Sequence, residues 1–295
     1  MKGTSRREFL KTSSFALAGT AVFPTTIQGF ALPVRHLGVQ LYSARTDMAK
    51  DPIATLAAIA RMGYREVEGY GYSAGKMFGM PIAEYSKILK GNGLAMPSSH
   101  CNFALKDYDE EGKTLPDTVK RAIDDAVVMG QKYIILPWLT EPERPQVEKI
   151  VKFVAAAAAY AQTADIRFGY HNHDFEFTQR GPDGRLLIEW LLQEIDPKIL
   201  AFEMDIYWVC FARYDPLDWF RLYPGRWQLC HAKDLAATEK RETIEFGDGT
   251  IDFPGIFGQS QGAGLQHYII ELEHYRSTPL EGVKRARENF VKMRW

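Results

Sequence analysis

The chain has 295 residues, 46% of them hydrophobic and 13% aromatic, enough apolar material to bury one large core. Its 36 basic and 37 acidic residues give a formal charge of -1, which excludes wrapping a polyanion such as DNA by counterion release and points to a small neutral or weakly charged ligand. Cys101, Cys210 and Cys230 lie far apart in sequence, each in or beside an apolar segment, and read as buried thiols rather than a disulfide framework.

Residues 5 to 11 read Ser-Arg-Arg-Glu-Phe-Leu-Lys and precede a modestly apolar stretch, Ser14 to Phe23, that runs into Pro24. Paired arginines followed by Phe and Leu resemble a twin-arginine export signal. The stretch is shorter than the about 20 apolar residues that a spanning helix needs, so it reads as an address and not as a stable membrane span. The resemblance implies engagement with the twin-arginine export machinery and a periplasmic or exported location. Residues 1–34 are accordingly set aside as signal or flexible segment, and the fold is expected over residues 35–295.

From His36 onward short apolar runs alternate with longer amphipathic stretches, the signature of βα units. Strands are predicted at Leu37 to Leu41, Glu66 to Gly69, Leu94 to Ser98, Tyr133 to Leu136, Arg167 to His171, Leu200 to Met204, Trp227 to Cys230 and Tyr268 to Glu271. Helices are predicted at Pro52 to Met62, Ile82 to Lys90, Leu115 to Met129, Arg144 to Ala164, Leu186 to Ile195, Pro216 to Leu222 and Leu280 to Met293. Asp51-Pro52 supplies a capping carboxylate before a first-turn proline, and Gly63, Gly91 and Gly130 stand where glycine closes a helix. The alanines from Ala155 to Ala159 belong to a helix whose apolar face is kept by Val151, Val154, Ala158 and Ala161. Eight such units without an internal linker predict a single-domain α/β fold, a (β/α)8 TIM barrel, whose chemistry belongs at the C-terminal strand tips.

Four of those tips end in ligand-type side chains: His171, Asp205, His231 and Glu271. His171 and His173, two apart, share a face, and Glu176 follows within reach of a return. Strand-end histidine pairs suit zinc, manganese or iron(II). Asp205 either receives a cation or caps the following helix, since a buried carboxylate needs one or the other. His231 and Lys233 share a face, with Lys233 suited to holding a substrate oxygen or, alternatively, to an ion pair with Asp234, Glu203 or Glu271. Glu271 and Glu273 likewise share one, where each would raise the other's pKa without a cation between them. Glu68 closes the second run and His100 the third. The glycine-bearing segment Phe246 to Phe253 fits either close approach to a ligand or a tight turn. No phosphate-binding glycine motif and no G-x-S-x-G elbow occurs, so nucleotide cofactors and serine catalysis lack support.

The segments Val67-Glu68-Gly69, Tyr170 to Phe177, Asp205, His231-x-Lys233-Asp234 and Glu271-x-Glu273 resemble the sugar phosphate isomerase/epimerase superfamily, the xylose-isomerase-like barrels, over most of residues 36 to 293. The resemblance implies one divalent ion (Mn, Zn, Mg or Co), with Asp205, His231 and Glu271 at ligand positions. Where members carry a fifth-strand glutamate this chain has His171, and the fourth ligand is open among His171, His173 and Glu176. Trp208 stands where many members have a substrate-holding histidine. The implied activity is isomerisation or epimerisation of a sugar or keto sugar by proton abstraction beside a carbonyl, Glu271 or Glu176 acting as base and Lys233 or His173 neutralising the oxyanion. Glu68, His100, Trp138, His173, Trp208 and Glu273 are expected to line the substrate site. Export favours an unphosphorylated sugar, keto sugar or glycoside. Alternatives are a metal-dependent lyase or dehydratase acting on a keto sugar or keto-glycoside, and a non-catalytic carbohydrate-binding barrel using Trp138, Trp208 and Tyr207. An abasic-site endonuclease of the same superfamily conflicts with the charge balance, and a homo-oligomer is compatible with everything above.

Overall fold

A computed structural model describes residues 36–295; the arginine pair and the apolar stretch after it lie outside the described residues. Eight parallel strands, taken in chain order, close on themselves: β1 (His36–Gln40), β2 (Glu66–Gly69), β3 (Ala95–His100), β4 (Tyr133–Leu136), β5 (Arg167–His171), β6 (Leu200–Asp205), β7 (Trp227–Ala232) and β8 (His267–Ile270). β1 pairs with both β2 and β8, which completes the ring, so the fold is the predicted single-domain TIM barrel.

The predicted strands and helices stand within a few residues of their expected limits. Pro52–Met62 begins as its sequence says: Asp51 Oδ1 accepts from the Ala54 amide at 2.9 Å, Pro52 occupies the first turn, and Gly63 closes the helix at φ +100°. Gly130 ends Asp117–Met129 the same way. Gly91 differs from expectation, because it is the last helical residue and the left-handed turn falls to Gly93 at φ +67°. Beyond the expected elements are a small antiparallel sheet (Tyr72–Ser73, Lys76–Met77, Met80–Pro81) and the helices Ile206–Phe211 and Phe253–Gly258.

Strand alternation divides the side chains between two cores. Outward residues such as Ile134, Leu136, Tyr170, Phe202 and Cys230 pack against the surrounding helices. Inside the barrel, Tyr133, Ile135, Ala201, Leu229 and Ile269 form a separate apolar layer. Gly169 belongs with it, since a Cβ there would collide with Ile135. Two residues further along the same strands the inward face turns ionisable: Glu203 after Ala201, His231 after Leu229, Glu271 after Ile269, His171 after Gly169. The apolar plug therefore seals one end, and everything polar above it opens toward the C-terminal mouth. No helix of the described residues is long and apolar enough to cross a membrane.

Candidate metal centre

Register sets the lateral neighbours. Asp205 on β6 faces His231 on β7, and His171 on β5 faces Glu203 on β6. Asp205, His231 and Glu271 bring one ligand atom each within 4.8 Å of the others, and all three are buried. His171 joins them with Nε2 at 3.7 Å from Asp205 Oδ2.

Asp205 caps the following helix, one of the two roles that its position allowed. Its Oδ1 accepts from the Trp208 amide at 3.1 Å and caps Ile206–Phe211, while its buried Oδ2 faces the Lys233 ammonium at 3.0 Å. A buried carboxylate oxygen needs positive charge beside it, and Oδ2, with His171, His231 and Glu271 around it, can take a divalent ion next to that ammonium. Oxygen and imidazole donors of this mixture suit zinc, manganese or a similar divalent ion, so the residues fit the group that the sequence resemblance implies.

Lys233 extends from the end of β7 into the same space. Its Nζ lies 2.6 Å from Glu271 Oε2, 2.8 Å from Glu273 Oε1 and 3.0 Å from Asp205 Oδ2. Burial works against the ammonium, but these carboxylates outweigh it and raise its pKa well above the lysine value. Glu271 is correspondingly held well below the usual carboxylate range: burial opposes its charge, and Lys233 and His231 overcome that. For Asp205 burial wins and the shift is upward. Of the ion-pair partners expected for Lys233, Glu271 is real, while Asp234 instead accepts four backbone amides, from Leu235, Gly247, Gly249 and Ile251, and fastens the glycine-bearing segment as a turn.

Beneath the mouth lies a second polar tier. His231 Nε2 is 2.6 Å from Glu68 Oε2, His171 Nδ1 is 3.0 Å from Glu203 Oε2, and His100 Nε2 reaches Glu203 at 2.7 Å and Glu68 at 3.3 Å. Burial pushes Glu68 up, yet the His100 and His231 imidazoles bring it down to about 2; burial and the Glu68 charge raise Glu203 to about 7. Glu68 is fully buried and is not among the residues lining the pocket; it stands under the site. Glu203, named from the sequence only as an alternative ion-pair partner of Lys233, pairs with His100 and His171 instead.

Above the ligands is a pocket of about 460 Å³ lined by Tyr42, Tyr70, His100, Trp138, Trp208 and Glu273 among others, with His171, His173, Lys233 and Glu271 at its base. Thus His100, Trp138, His173, Trp208 and Glu273 come together as expected. Tyr207 does not join them: it is buried, with its hydroxyl donating to the Arg241 carbonyl. The His173 ring sits between Trp138 and Trp208, at centroid distances of 4.8 and 5.3 Å. Burial, with Lys233 nearby, holds His173 neutral, and its Nδ1 has no hydrogen-bond partner among the described residues.

Glu176 is not brought to this pocket. The 3-10 turn Phe175–Phe177 carries it under the His173 amide, and its other oxygen accepts from Tyr170, a residue of the outer core. Burial raises its pKa to about 8. A carboxyl whose folded pKa lies above its unfolded value favours the folded state least when ionised, so its cost is absent below the unfolded pKa and grows until about pH 8. Glu176→Gln is therefore expected to gain stability relative to wild type as pH rises from about 4.5 to 8, by an amount on the order of a few kcal/mol. Parallel pH dependences of the two melting curves would contradict this.

The xylose isomerase-like TIM barrel family matches residues 56–293, from within the helix Pro52–Met62 of the first βα unit to the last helix. The chain belongs to that family. Among solved structures, a sugar phosphate isomerase/epimerase from Parabacteroides distasonis is 28% identical, superposes with a TM-score of 0.76, and is matched over 94% of its length by 88% of this chain. An inosose dehydratase from Geobacillus kaustophilus is 24% identical over 242 residues, 69% of this chain and 74% of its own. The IOLI protein, solved with a bound zinc atom, shares 12% identity and a TM-score of 0.67 over 87% of this chain and 97% of its own, a likeness of fold alone. The family is one of metal-dependent sugar isomerases, epimerases and dehydratases.

Proposed function

We propose that this protein is a divalent-metal-dependent isomerase or epimerase of an unphosphorylated sugar or keto sugar, working by proton abstraction beside a carbonyl. The observation that carries the reading is the convergence of the buried donor atoms of Asp205, His231, Glu271 and His171, directly under an aromatic-walled pocket. These four residues would hold the ion, which when bound supplies Lewis-acid polarisation of a carbonyl.

The remaining chemistry falls to the chain. Glu273, with its side chain 31% exposed, is the carboxylate free to take a proton from the carbon next to the carbonyl, and the Lys233 ammonium 2.8 Å away is placed to donate to the oxygen that gains the electron pair. Glu273, once protonated, can return the proton to the same or the neighbouring carbon, while neutral His173, in the pocket lining, can hydrogen-bond a substrate oxygen. Trp138 and Trp208 offer faces for the sugar ring. Expulsion of a neighbouring hydroxyl instead of proton return gives dehydration, a second reading favoured by the similarity to an inosose dehydratase.

Charge supports a neutral substrate. The pocket lining holds Asp174, Glu271 and Glu273 against Lys233 alone, and three carboxylates already hold that ammonium. A phosphate needs several cationic donors, and this lining offers one lysine that is already ion-paired, with Asn102 as its one amide side chain. The arginine-pair address fits a substrate met outside the cytoplasm.

The test is solvent exchange. Metal-loaded protein incubated in deuterated water with neutral ketoses, keto-cyclitols and keto-glycosides is expected to exchange the proton next to the carbonyl. Glu273→Gln is expected to slow this by about 10²- to 10⁴-fold. Metal-bearing protein that binds such sugars without exchange or conversion would leave a carbohydrate-binding barrel in place of an enzyme.

A further inference from the structure

The two histidines facing the proposed ion are held from behind by glutamates on other strands, and they present opposite ring nitrogens to the mouth. His231 turns Nε2 inward to Glu68 on β2 and leaves Nδ1 outward, 2.9 Å from Glu271 and 3.9 Å from Asp205. His171 turns Nδ1 inward to Glu203 on β6 and leaves Nε2 outward toward Asp205. Glu68 is itself fixed by Gln40 Nε2 at 2.8 Å and Ser98 Oγ at 2.6 Å. His100 joins the two glutamates and stacks on His231 at a 14° interplanar angle.

A neutral imidazole carries one N–H and one lone pair. A carboxylate accepts only, so it draws the N–H to the nitrogen that faces it and exposes the lone pair on the other; His231 faces Glu68 at 2.6 Å and Glu271 at 2.9 Å, and with Glu271 given to the ion Glu68 keeps the N–H on Nε2 and leaves the lone pair on Nδ1. We propose that Glu68 and Glu203 are positioning residues for the metal centre: they select opposite tautomers of His231 and His171, so that both lone pairs point at the same place in the mouth. This inference rests on the metal-dependent reading above. Neither glutamate touches substrate in it; each acts through a histidine.

Glu68→Gln and Glu203→Gln are the informative variants. Glutamine keeps the size but can rotate its NH2 toward the imidazole, which then accepts inward and presents a useless N–H to the mouth. Divalent-ion affinity, measured by competition with a chromophoric chelator, is expected to fall about 10- to 100-fold in each variant. The visible absorption of the cobalt(II)-loaded protein is expected to change in band position and intensity, a readout that a structural strut would leave alone. Apo melting curves establish that the compared proteins are folded. Should a glutamine variant fail to fold, Ser98→Ala, which loosens Glu68 while keeping its charge, is expected to weaken the ion by several-fold, and wild-type affinity there would overturn the assignment. Wild-type affinity within about twofold together with an unchanged cobalt spectrum would overturn it while leaving the metal site standing. So would two ions per wild-type chain with one lost in Glu203→Gln, because His100, His171, Glu203 and His231 would then be a ligand set of their own. A wild type that binds no ion fails the metal reading itself, a separate result.

Discussion

Asp205→Asn is expected to remain folded and to lose the divalent ion, with affinity at least about 100-fold weaker than wild type and proton exchange reduced in step. The asymmetry of the two oxygens makes this substitution cleaner than alanine. Oδ1 caps Ile206–Phe211 through the Trp208 amide, and an asparagine oxygen does the same work, whereas alanine costs about 1 kcal/mol for the lost cap. Oδ2 is the atom turned toward His171, His231 and Lys233, and replacing it by an NH2 removes both the charge and the lone pairs that a cation needs. The effect should exceed the 10- to 100-fold typical of groups that act on a metal from behind its ligands. Metal content of the purified protein and titration with manganese or zinc check it. Retention of wild-type affinity would move the ion away from Asp205 and dismantle the proposed centre.

Why the proposed ligands were legible in the sequence while their supports were not follows from barrel geometry. A buried parallel strand reads as an apolar run, as in Tyr133–Leu136, and the residue just after the run is a tip by construction. His171, Asp205, His231 and Glu271 all have that form, so chain order alone put them at one mouth. Glu203 lies inside its run, and Glu68 closes a strand only four residues long, so neither stands apart as a member of a buried tier. A signal was present in the spacing: Glu203 is two residues before Asp205 and therefore on the same inward face, one layer lower. An acid in that place can survive only with partners, and those partners, His100, His171 and His231, come from β3, β5 and β7, which the sequence of β6 does not name. Glu176 failed for a local reason. The reach predicted for it assumed extended chain, and the 3-10 turn at Phe175 rotates it away. The small sheet over Tyr72 to Pro81 escaped because strands of two residues leave no alternation to read.

Lys233→Met is expected to destabilise the metal-free protein strongly and the metal-loaded protein much less. In the metal-free state the ammonium is the compensating cation for Glu271, Glu273 and Asp205, all within 3.0 Å of Nζ, and the lysine itself is buried. Breaking a buried ionic cluster from one side strands the remaining charges, at a cost of about 3–5 kcal/mol. A divalent ion on Asp205 and Glu271 restores positive charge at the same carboxylates. In wild type that ion and the ammonium repel each other across a few ångströms of low-dielectric interior, a term absent from the methionine variant. Metal affinity should therefore be higher in Lys233→Met than in wild type, and the rise in melting temperature on adding the ion should be larger, since ligand stabilisation follows affinity. Proton transfer should nevertheless fall, because the donor beside the substrate oxygen is gone. Calorimetric melting of both proteins with and without zinc or manganese decides the matter. Metal-free proteins that melt together would show the ammonium adds nothing to the fold. Equal shifts on metal addition would show that lysine and ion do not compete for the same carboxylates, and the ion would then have to sit away from Asp205 and Glu271.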